Sequence, residues 1–304
     1  MSPLIETSNL TKQFETITAV NGLTLAIDEG QVLAILGPNG AGKTTTVRML
    51  TSILKPTAGY ARIAGYDVVR EANAVRHMVG HLTEFPGLYL RMRAAEYLDF
   101  FGELQGMPRA DRRARADELL ERFGLSDARD RRLAGFSKGM RQKIALVRAM
   151  LHQPRVLFLD EPTSAMDPHS AKQVRDAIAD LRRDGHTIVL CTHNLFEAES
   201  LADCIVVVRR GNLIAFDAPA QLKEKLLGLP VWQVQLAQPL AAWPPLNGYL
   251  QVESHDEFNL RYRTAQPELA NPYVLTQLHQ VGARVLMLSQ MPRSLEDVYL
   301  RLVQ

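Results

Sequence analysis

The stretch "LAILGPNGAGKTTTVRML", Leu33–Leu50, decides the fold of this 304-residue chain. An apolar run suited to a buried strand leads into a glycine-rich turn, and apolar residues at helical spacing follow the turn. Gly37, Gly42, Lys43 and Thr44 have the spacing G-x-x-x-x-G-K-[ST] between that strand and that helix. The stretch therefore predicts a strand–loop–helix unit whose loop binds phosphate.

Each residue type in this loop has a physical task. Glycines let the backbone N–H groups turn inward onto phosphate oxygens, and the following helix offers its positive N-terminal end. Lys43 supplies a mobile positive charge for the β- and γ-phosphates, and the Thr44 hydroxyl can reach a Mg²⁺ ion. The residues expected to hold the phosphates are Gly37, Pro38, Asn39, Gly40, Ala41, Gly42, Lys43, Thr44 and Thr45.

A second chemical motif, "VLFLDEPTS", is an apolar strand that ends in the carboxylates Asp160 and Glu161. Neighbouring side chains on a strand point to opposite faces, so the two carboxylates cannot share one role while the extended geometry continues. Asp160 is the expected metal partner of Thr44. Glu161 is expected to orient or deprotonate an attacking water. Alone, such a pair is often only a polar cap on a sheet edge; with the phosphate loop it indicates phosphoryl transfer.

The pattern along the chain predicts two parts. Short strands fill the first sixty residues, helical spacing dominates residues 91–151, and apolar strands then alternate with helices, which favours a mostly parallel sheet covered on both sides. Beyond Gly228 the chain becomes richer in proline and predicts a small α+β domain. There we expect Pro272 to start a helix and Ser294 to be the N-cap of the last one.

Composition excludes several classes of protein. The net charge of +2 provides no strong field for nucleic acid or an anionic membrane. The two cysteines lie in apolar settings, which favours a reducing cytoplasm over a disulfide scaffold. No signal segment opens the chain, and no apolar run reaches the roughly 18 residues that a membrane helix needs. Work at a membrane would therefore require a partner that spans it.

The motifs together resemble one family. The phosphate loop, "FSKGMRQK", "VLFLDEP", "SAMD" and His193 occur in the order found in the nucleotide-binding subunit of an ABC transporter, and the likeness covers residues 1–227. The resemblance implies an α/β P-loop NTPase fold of the ABC ATPase type. Its parts would be a mostly parallel core sheet, an antiparallel β subdomain and a helical lobe at about 85–152, with an accessory or regulatory α+β domain at 228–304.

In that family two copies close head to tail around two ATP molecules, each ATP lying between one copy's phosphate loop and the other copy's signature sequence. The matching signature residues, expected to contact the ATP of the opposite copy, are Ser137, Lys138, Gly139 and Met140. Lys138 and Met140 depart from the usual LSGGQ. Lysine keeps its backbone N–H and adds positive charge, and forms near "SKGM" look typical of subunits that drive export, so we expect the signature to function.

Four further positions follow from the resemblance. Phe14 matches the aromatic residue that stacks on adenine, with packing on a strand face as the alternative. Asp167 matches the dimer contact. His193 matches the residue that holds the γ-phosphate and water beside Glu161 and Lys43, although a lone histidine is often only a surface or core residue. Glu84 stands where the family usually has a glutamine that contacts Mg²⁺ and relays the nucleotide state; glutamate keeps an oxygen ligand but loses the amide donor.

The expected function is that of the ATP-hydrolysing motor of an export system, with ATP and Mg²⁺ as its ligands. Expected partners are a second copy or a paired ATPase subunit and an integral membrane permease, and no nucleic acid. The expected location is the cytoplasmic face of the inner membrane, through the permease. Phe85, Leu88 and Tyr89 could line a groove for a permease helix or simply pack the lobe. The alternative function is a non-transport ABC ATPase acting on ribosomes or nucleic acid.

Overall fold

A computed structural model describes residues 3–164, 166–246 and 248–303 of the chain. The chain divides into two compact units, one ending at Pro219 and the other beginning at Ala220. None of the helices in the described part combines the length and the apolar character needed to cross a bilayer.

The described strands of the first unit lie in two sheets. They are β1 (Ile5–Phe14), β2 (Ile17–Ile27), β3 (Val32–Leu36), β4 (Ala58–Ile63), β5 (Tyr66–Asp67), β6 (Val79–Leu82), β7 (Val156–Asp160), β8 (Thr187–Thr192), β9 (Cys204–Arg209) and β10 (Asn212–Asp217). The core sheet has the order β10-β9-β3-β8-β7-β6, and the other sheet has the order β2-β1-β4-β5. The predicted combination of a core sheet and an antiparallel subdomain is confirmed.

The core sheet places the chemistry at one edge. Strands β6 to β9 and β3 run parallel to their neighbours, and only β10 is antiparallel. Every residue of β3, β7 and β8 is buried, as expected for apolar strands covered on both faces. Because these three strands are adjacent and parallel, the phosphate loop, the Asp160–Glu161 pair and His193 all follow carboxyl ends at the same edge, where ligands of such sheets bind.

The helices of the first unit are α1 (Lys43–Leu50), α2 (Ala72–Met78), α3 (Ala94–Leu104), α4 (Arg109–Arg122), α5 (Lys138–Met150), α6 (Pro168–Arg183) and α7 (Leu195–Leu201). Helices α3, α4 and α5 form the lobe that the sequence predicted to be helical. Their apolar faces meet around Tyr97, Leu119 and Ile144, each fully buried. The signature stretch thus sits at the start of a helix anchored in a packed lobe.

The second unit is built around one four-stranded antiparallel sheet, with the order β12-β13-β11-β14. The elements from this region onward are α8 (Pro219–Leu227), β11 (Val231–Leu236), β12 (Gln251–His255), β13 (Asn259–Arg263), α9 (Pro267–Gln280), β14 (Val285–Gln290) and α10 (Leu295–Val303). Helix α9 covers one face of the sheet, where Val274 and Leu278 pack with Val234, Leu260 and Tyr262. The region is therefore α+β, as its alternating pattern suggests.

One of the two terminal-region helix predictions is wrong. Helix α9 begins at Pro267, and Pro272 lies inside it. Proline fits the first turn because its missing N–H has no intrahelical partner there, and Pro267 already occupies that position. Pro272 therefore removes one backbone hydrogen bond in the second turn. The prediction for Ser294 is confirmed: its Oγ accepts a hydrogen bond from the Asp297 backbone N–H at 3.1 Å.

Candidate active site

The phosphate loop connects β3 to α1 and forms the floor of a cavity of about 410 Å³. Gly42 has φ +107°, and a side chain there would place a Cβ 2.2 Å from the Ala19 carbonyl oxygen. Gly37 is as tightly enclosed, because its Cβ would lie 2.5 Å from the Val208 carbonyl oxygen. Only glycine satisfies both positions, so the loop keeps the close backbone curve that a phosphate group needs.

Lys43 is buried, and its charge is held over the loop. Its Nζ donates to the Gly37 carbonyl oxygen at 2.7 Å and to the Pro38 carbonyl oxygen at 3.3 Å. The Glu161 carboxylate lies 3.9 Å from the same Nζ. The ammonium group is therefore positioned at the cavity by two neutral oxygens and one charge, and its three N–H donors suit phosphate oxygens.

Asp160 and Thr44 form a ready pair of oxygen ligands. The Thr44 hydroxyl donates to Asp160 Oδ2 at 3.0 Å across the junction of β7 and α1. Burial raises the pKa of Asp160, as does the nearby charge of Glu84, while the Thr44 hydrogen bond opposes the shift. A hydroxyl and a carboxylate beside a phosphate loop fit Mg²⁺, which typically takes one or two protein oxygens and completes its shell with phosphates and water.

Glu161 leaves the extended geometry of the strand. Its φ of +49° lies in the left-handed region, which is uncommon for a residue with a side chain and typical of functional sites. Both carboxylates line the cavity as a result, yet their partners differ. His193 Nδ1 lies 2.8 Å from Glu161 Oε2, and His193 itself is largely exposed. Burial raises the pKa of Glu161, and the hydrogen bond from His193 opposes this shift.

Glu84 lines the same cavity as the phosphate loop. It follows β6, the neighbour of β7, which accounts for its proximity to Asp160. It also lines a second groove, of about 580 Å³, together with Phe85, Leu88 and Lys138. This position therefore lines both the phosphate cavity and a groove on the surface of the helical lobe.

The signature residues and Asp167 lie at helix starts. Ser137 caps α5, its Oγ accepting from the Met140 N–H at 3.2 Å. Asp167 caps α6, its Oδ1 accepting from the Ser170 N–H at 3.0 Å, and hydrogen bonds to Ser170 lower the pKa of Asp167. Gly139 packs against α6, since a Cβ there would meet Ser170 Oγ at 3.1 Å. Among the described residues that line the phosphate cavity, none belongs to the stretch 137–140.

Phe14 ends β1 with its side chain 45% exposed, so it is not packed into a sheet interface. The Lys12 ammonium lies 5.0 Å from the centre of its ring. Phe14 is not among the described residues that line the phosphate cavity, whereas Ala19 is. The ring is available for stacking, and the geometry does not connect it directly to the phosphates.

Sequence reasoning missed Glu197. Its side chain is 1% exposed, although it lies on the short helix α7 that follows His193. Thr192 donates to its Oε2 at 3.0 Å, and Thr163 donates to its Oε1. Arg175 of α6 lies 3.9 Å from the same carboxylate. Glu197 thereby joins the loop after Glu161 to the loop that carries His193. Its spacing in "THNLFEAES" gave no sign of burial, since a glutamate on a short helix is usually solvated.

Comparison with known proteins identifies the class of protein to which this chain belongs. The family model described as ABC transporter matches residues 20–164. The daunorubicin/doxorubicin resistance ATP-binding protein DrrA of Streptomyces peucetius is 43% identical over 222 residues, which cover 73% of this chain and 67% of that protein. The Nod factor export ATP-binding protein I of Ralstonia nicotianae is 35% identical, covering 99% of this chain and 94% of that protein.

A solved dimeric ATP-binding cassette in a post-hydrolysis state, bound to ADP and Pi, is also similar. It superimposes with a TM-score of 0.64 at 25% identity, covering 70% of this chain and 98% of that one. The chain belongs to the ATP-binding subunits of ABC transporters, a family that binds ATP and works with membrane permeases. It is an ATPase with the ABC ATPase fold.

Proposed function

We propose that this protein is the ATP-hydrolysing motor of an export system, in which two copies close around two ATP molecules and drive a separate permease. The observation that carries the proposal is the division of the site. One chain brings Lys43, Asp160, Glu161 and His193 to a single cavity. The stretch 137–140 begins a helix of the lobe and does not line that cavity, so in this proposal a second copy supplies it.

The phosphate half of the site, the residues that line the phosphate cavity, supports a specific role for each side chain in hydrolysis. Loop N–H groups and Lys43 hold the β- and γ-phosphates. Thr44 and Asp160 would hold a bound Mg²⁺, which would supply positive charge to the phosphate oxygens. Glu161 accepts a proton from the attacking water as its oxygen bonds to the γ-phosphorus and the bond to the β–γ bridging oxygen breaks. His193, hydrogen-bonded to Glu161, holds that carboxylate in place and faces the γ-phosphate.

Closure follows from the chemistry of the signature. A serine hydroxyl can accept one hydrogen bond and donate another, so Ser137 can keep its cap to Met140 and still donate to a phosphate oxygen of the partner's ATP. The start of α5 adds backbone N–H groups and its positive helix end. ATP that contacts both copies favours the closed dimer, because a ligand shifts an equilibrium only through its differential affinity.

An exposed apolar surface of the lobe suits a permease. Phe85 is 83% exposed, and Ile53 and Leu104 are exposed as well. A groove of about 350 Å³ between the core sheet and the lobe has Ile53 and Phe101 in its lining. Tyr89 is exposed yet stacks on Phe101, with ring centres 6.1 Å apart. Exposed apolar side chains beside such a groove favour an interaction site.

The two readings of the "EFPGLY" segment thus apply to different residues. Phe85 faces outward and lines the 580 Å³ groove, which favours a partner helix. Leu88 is partly buried against the lobe core, so it serves lobe packing as well. The placement next to Glu84 links the nucleotide cavity to this surface, which supports a relay from ATP to the permease.

Export is supported by the relatives. DrrA is named for drug resistance and the Ralstonia protein for Nod factor export, and the latter alignment spans nearly all of both chains. By this proposal the chain lies at the cytoplasmic face of the inner membrane, held there by its permease. The C-terminal region, residues 228–304, is then an accessory domain that follows an ATPase domain of residues 1–227.

Membrane co-purification tests the proposal. Tagged protein solubilised from membranes is expected to bring down an integral membrane protein, and Phe85→Asp is expected to lose it while ATP hydrolysis by the isolated protein is unchanged. Arg113→Asp, on the exposed face of α4, is the matched control. Recovery of ribosomes or nucleic acid instead of a membrane protein would overturn the proposal in favour of a non-transport ABC ATPase.

A further inference from the structure

The second unit contains a cavity that the ATPase cycle does not use. Its volume is about 350 Å³, and it lies between the end of α8, the loop that leads into α10, and the strand β13. Four arginines line it: Arg261, Arg263, Arg293 and Arg301. Two carboxylates, Glu253 and Asp297, line it as well. The lining residues therefore carry a net charge of about +2 at neutral pH, since arginine remains protonated in proteins.

Most partners of these arginines are uncharged. Arg263 pairs with Glu253 at 2.8 Å and also donates to the Leu229 carbonyl oxygen at 2.8 Å. Arg293 donates to the carbonyl oxygens of Lys223 and Gly228. These carbonyls are at the end of α8, where a helix has unsatisfied acceptors.

The remaining two arginines are also hydrogen-bonded to neutral groups. Arg301 donates to the Leu226 carbonyl oxygen, and Arg261 donates to Gln233 Oε1 at 3.2 Å. The Nε of Arg293 is buried and has no hydrogen-bond partner. Buried N–H donors are nearly always satisfied, so this unpaired nitrogen leaves the positive charge of Arg293 only partly compensated.

The end of α8 accounts for only part of the positive charge. A helix C-terminus acts as about −0.5 of an elementary charge. Set against the net +2 of the side chains, it leaves a charge of roughly +1.5 at the cavity. A single phosphate or carboxylate group would balance that charge, and the forked guanidinium donors match the oxygens of either one.

One wall of the same cavity is apolar. Leu229 and Leu300 line it and are 44% and 48% exposed, and Val231 and Met291 lie beside them. Leucines left half-exposed beside arginines are poorly placed for a purely inorganic anion. They suit a molecule with an anionic head and an apolar body.

We propose that this cavity binds an amphipathic anion, a phosphate or carboxylate attached to an apolar body. The head lies among Arg261, Arg293 and Arg301, and the apolar part lies on Leu229 and Leu300. Because Arg293 and Arg301 also hold the end of α8, occupancy stabilises the link between α8 and the sheet of this unit. The two sources of such a ligand are a lipid headgroup and a free amphipathic metabolite.

Calorimetric titration of the full-length protein, with ADP and Mg²⁺ present to fill the nucleotide site, tests the proposal. Octyl phosphate is expected to bind saturably, and inorganic phosphate at least about tenfold more weakly, because it lacks the apolar body. Arg261→Ala is expected to weaken octyl phosphate about tenfold by removing one charge-assisted hydrogen-bonding group. Arg261 does not touch α8, so this variant keeps the fold. Arg284→Ala, an exposed arginine of the same unit outside the cavity, is the control.

Three results would overturn the proposal: no saturable binding to the wild type, equal affinity in Arg261→Ala, or equally tight binding of the uncharged octyl glucoside. Flotation with phosphatidylglycerol vesicles separates the two sources. Flotation that Arg261→Ala abolishes identifies a lipid headgroup. Octyl phosphate binding without flotation identifies a free metabolite, and either result supports an anion site.

Discussion

The phosphate loop and the signature stretch each lead into a helix, but the first backbone N–H groups of the two helices differ in their hydrogen-bond partners. Helix α1 has Gly42 as its N-cap, and no side chain accepts from its first N–H groups. Helix α5 has Ser137 as its N-cap, and the serine oxygen already accepts from Met140. The first helix start leaves its donors for a ligand inside the same chain. The second has one of its first N–H groups capped by its own serine.

The side chains around these two helix starts also differ. Lys43, Asp160 and Glu161 are buried at the phosphate cavity, where Lys43 pairs with Glu161 and Asp160 accepts a hydrogen bond from Thr44. The signature helix has its buried residues behind it, in the lobe, and no acidic residue in its first turn. The phosphate half therefore has the parts to bind ATP in an isolated chain, and the signature half has a function only when another copy brings ATP to it. Each prediction below tests that contrast.

The largest effect on ATP hydrolysis is expected for Glu161, the proposed general base. Glu161→Gln keeps the size of the side chain but removes proton acceptance, so steady-state ATP hydrolysis should fall at least about a hundredfold. ATP binding should persist, because Lys43 and the loop are unchanged, and the protein should elute as a dimer with ATP and Mg²⁺. Asp176→Asn on α6 is the control. Unchanged hydrolysis would remove Glu161 from the role of base.

A substitution at Ser137 tests the other half directly. Ser137→Arg should lower hydrolysis at least about tenfold by blocking the approach of the partner's ATP, with the affinity of the monomer for ATP unchanged within about twofold. Hydrolysis and nucleotide affinity are measured separately, the latter below the concentration at which copies associate. Ser126→Arg, at another exposed position of the lobe, should leave both unchanged. Loss of ATP binding by the Ser137 monomer would show that the signature serves its own chain.

Glu197 tests how the phosphate half is held together. Glu197→Ala removes the acceptor shared by Thr163 and Thr192 and leaves Arg175 without its buried carboxylate. The loops of Glu161 and His193 are then less constrained, so kcat should fall about tenfold with little change in KM. Glu197→Gln, which keeps one acceptor oxygen, should recover part of the loss. The control is Glu199→Gln on the same helix; an equal loss there would point to a general effect on α7.

The sequence predicted the phosphate half better than the features that depend on tertiary packing. Gly37, Lys43, Asp160 and His193 follow strands with unambiguous apolar runs, and parallel pairing then brings them to one edge. Glu197 could not be predicted, because its burial depends on contacts with Thr163 and Arg175, which are distant in the sequence.

Backbone geometry set further limits on prediction. The position of Pro272 was predicted wrongly, because the helix starts at the earlier Pro267. The left-handed backbone conformation of Glu161 could not be predicted either, because nothing in "LDEP" indicates it. Roles carried by local spacing were thus readable, whereas burial and φ angles set by distant contacts were not.

The smallest expected effect concerns His81 of β6, where the core sheet contacts α5, the helix that begins with the signature stretch. Burial lowers the pKa of His81 to about 4, with the charges of Arg148 and Arg48 adding to the shift. Arg148 belongs to the signature helix, and its Nη2 donates to the His81 carbonyl oxygen at 3.5 Å. A charged imidazole would therefore face an arginine from the lobe and another from α1.

The sign of the pH effect follows from this lowered pKa. The unfolded chain takes up a proton on this histidine near pH 6.5 and the folded chain only near pH 4, so the free energy of unfolding falls as the pH drops through that window. At pH 6 the loss is about 1 kcal/mol relative to pH 8. Urea unfolding at both pH values should show the same loss in the wild type and in His169→Gln, an exposed-histidine control, and a loss smaller by about 1 kcal/mol in His81→Gln, where buried His152 still contributes through its own lowered pKa. Equal pH dependence in all three proteins would show that His81 is solvated and that the joint between signature helix and catalytic sheet is open.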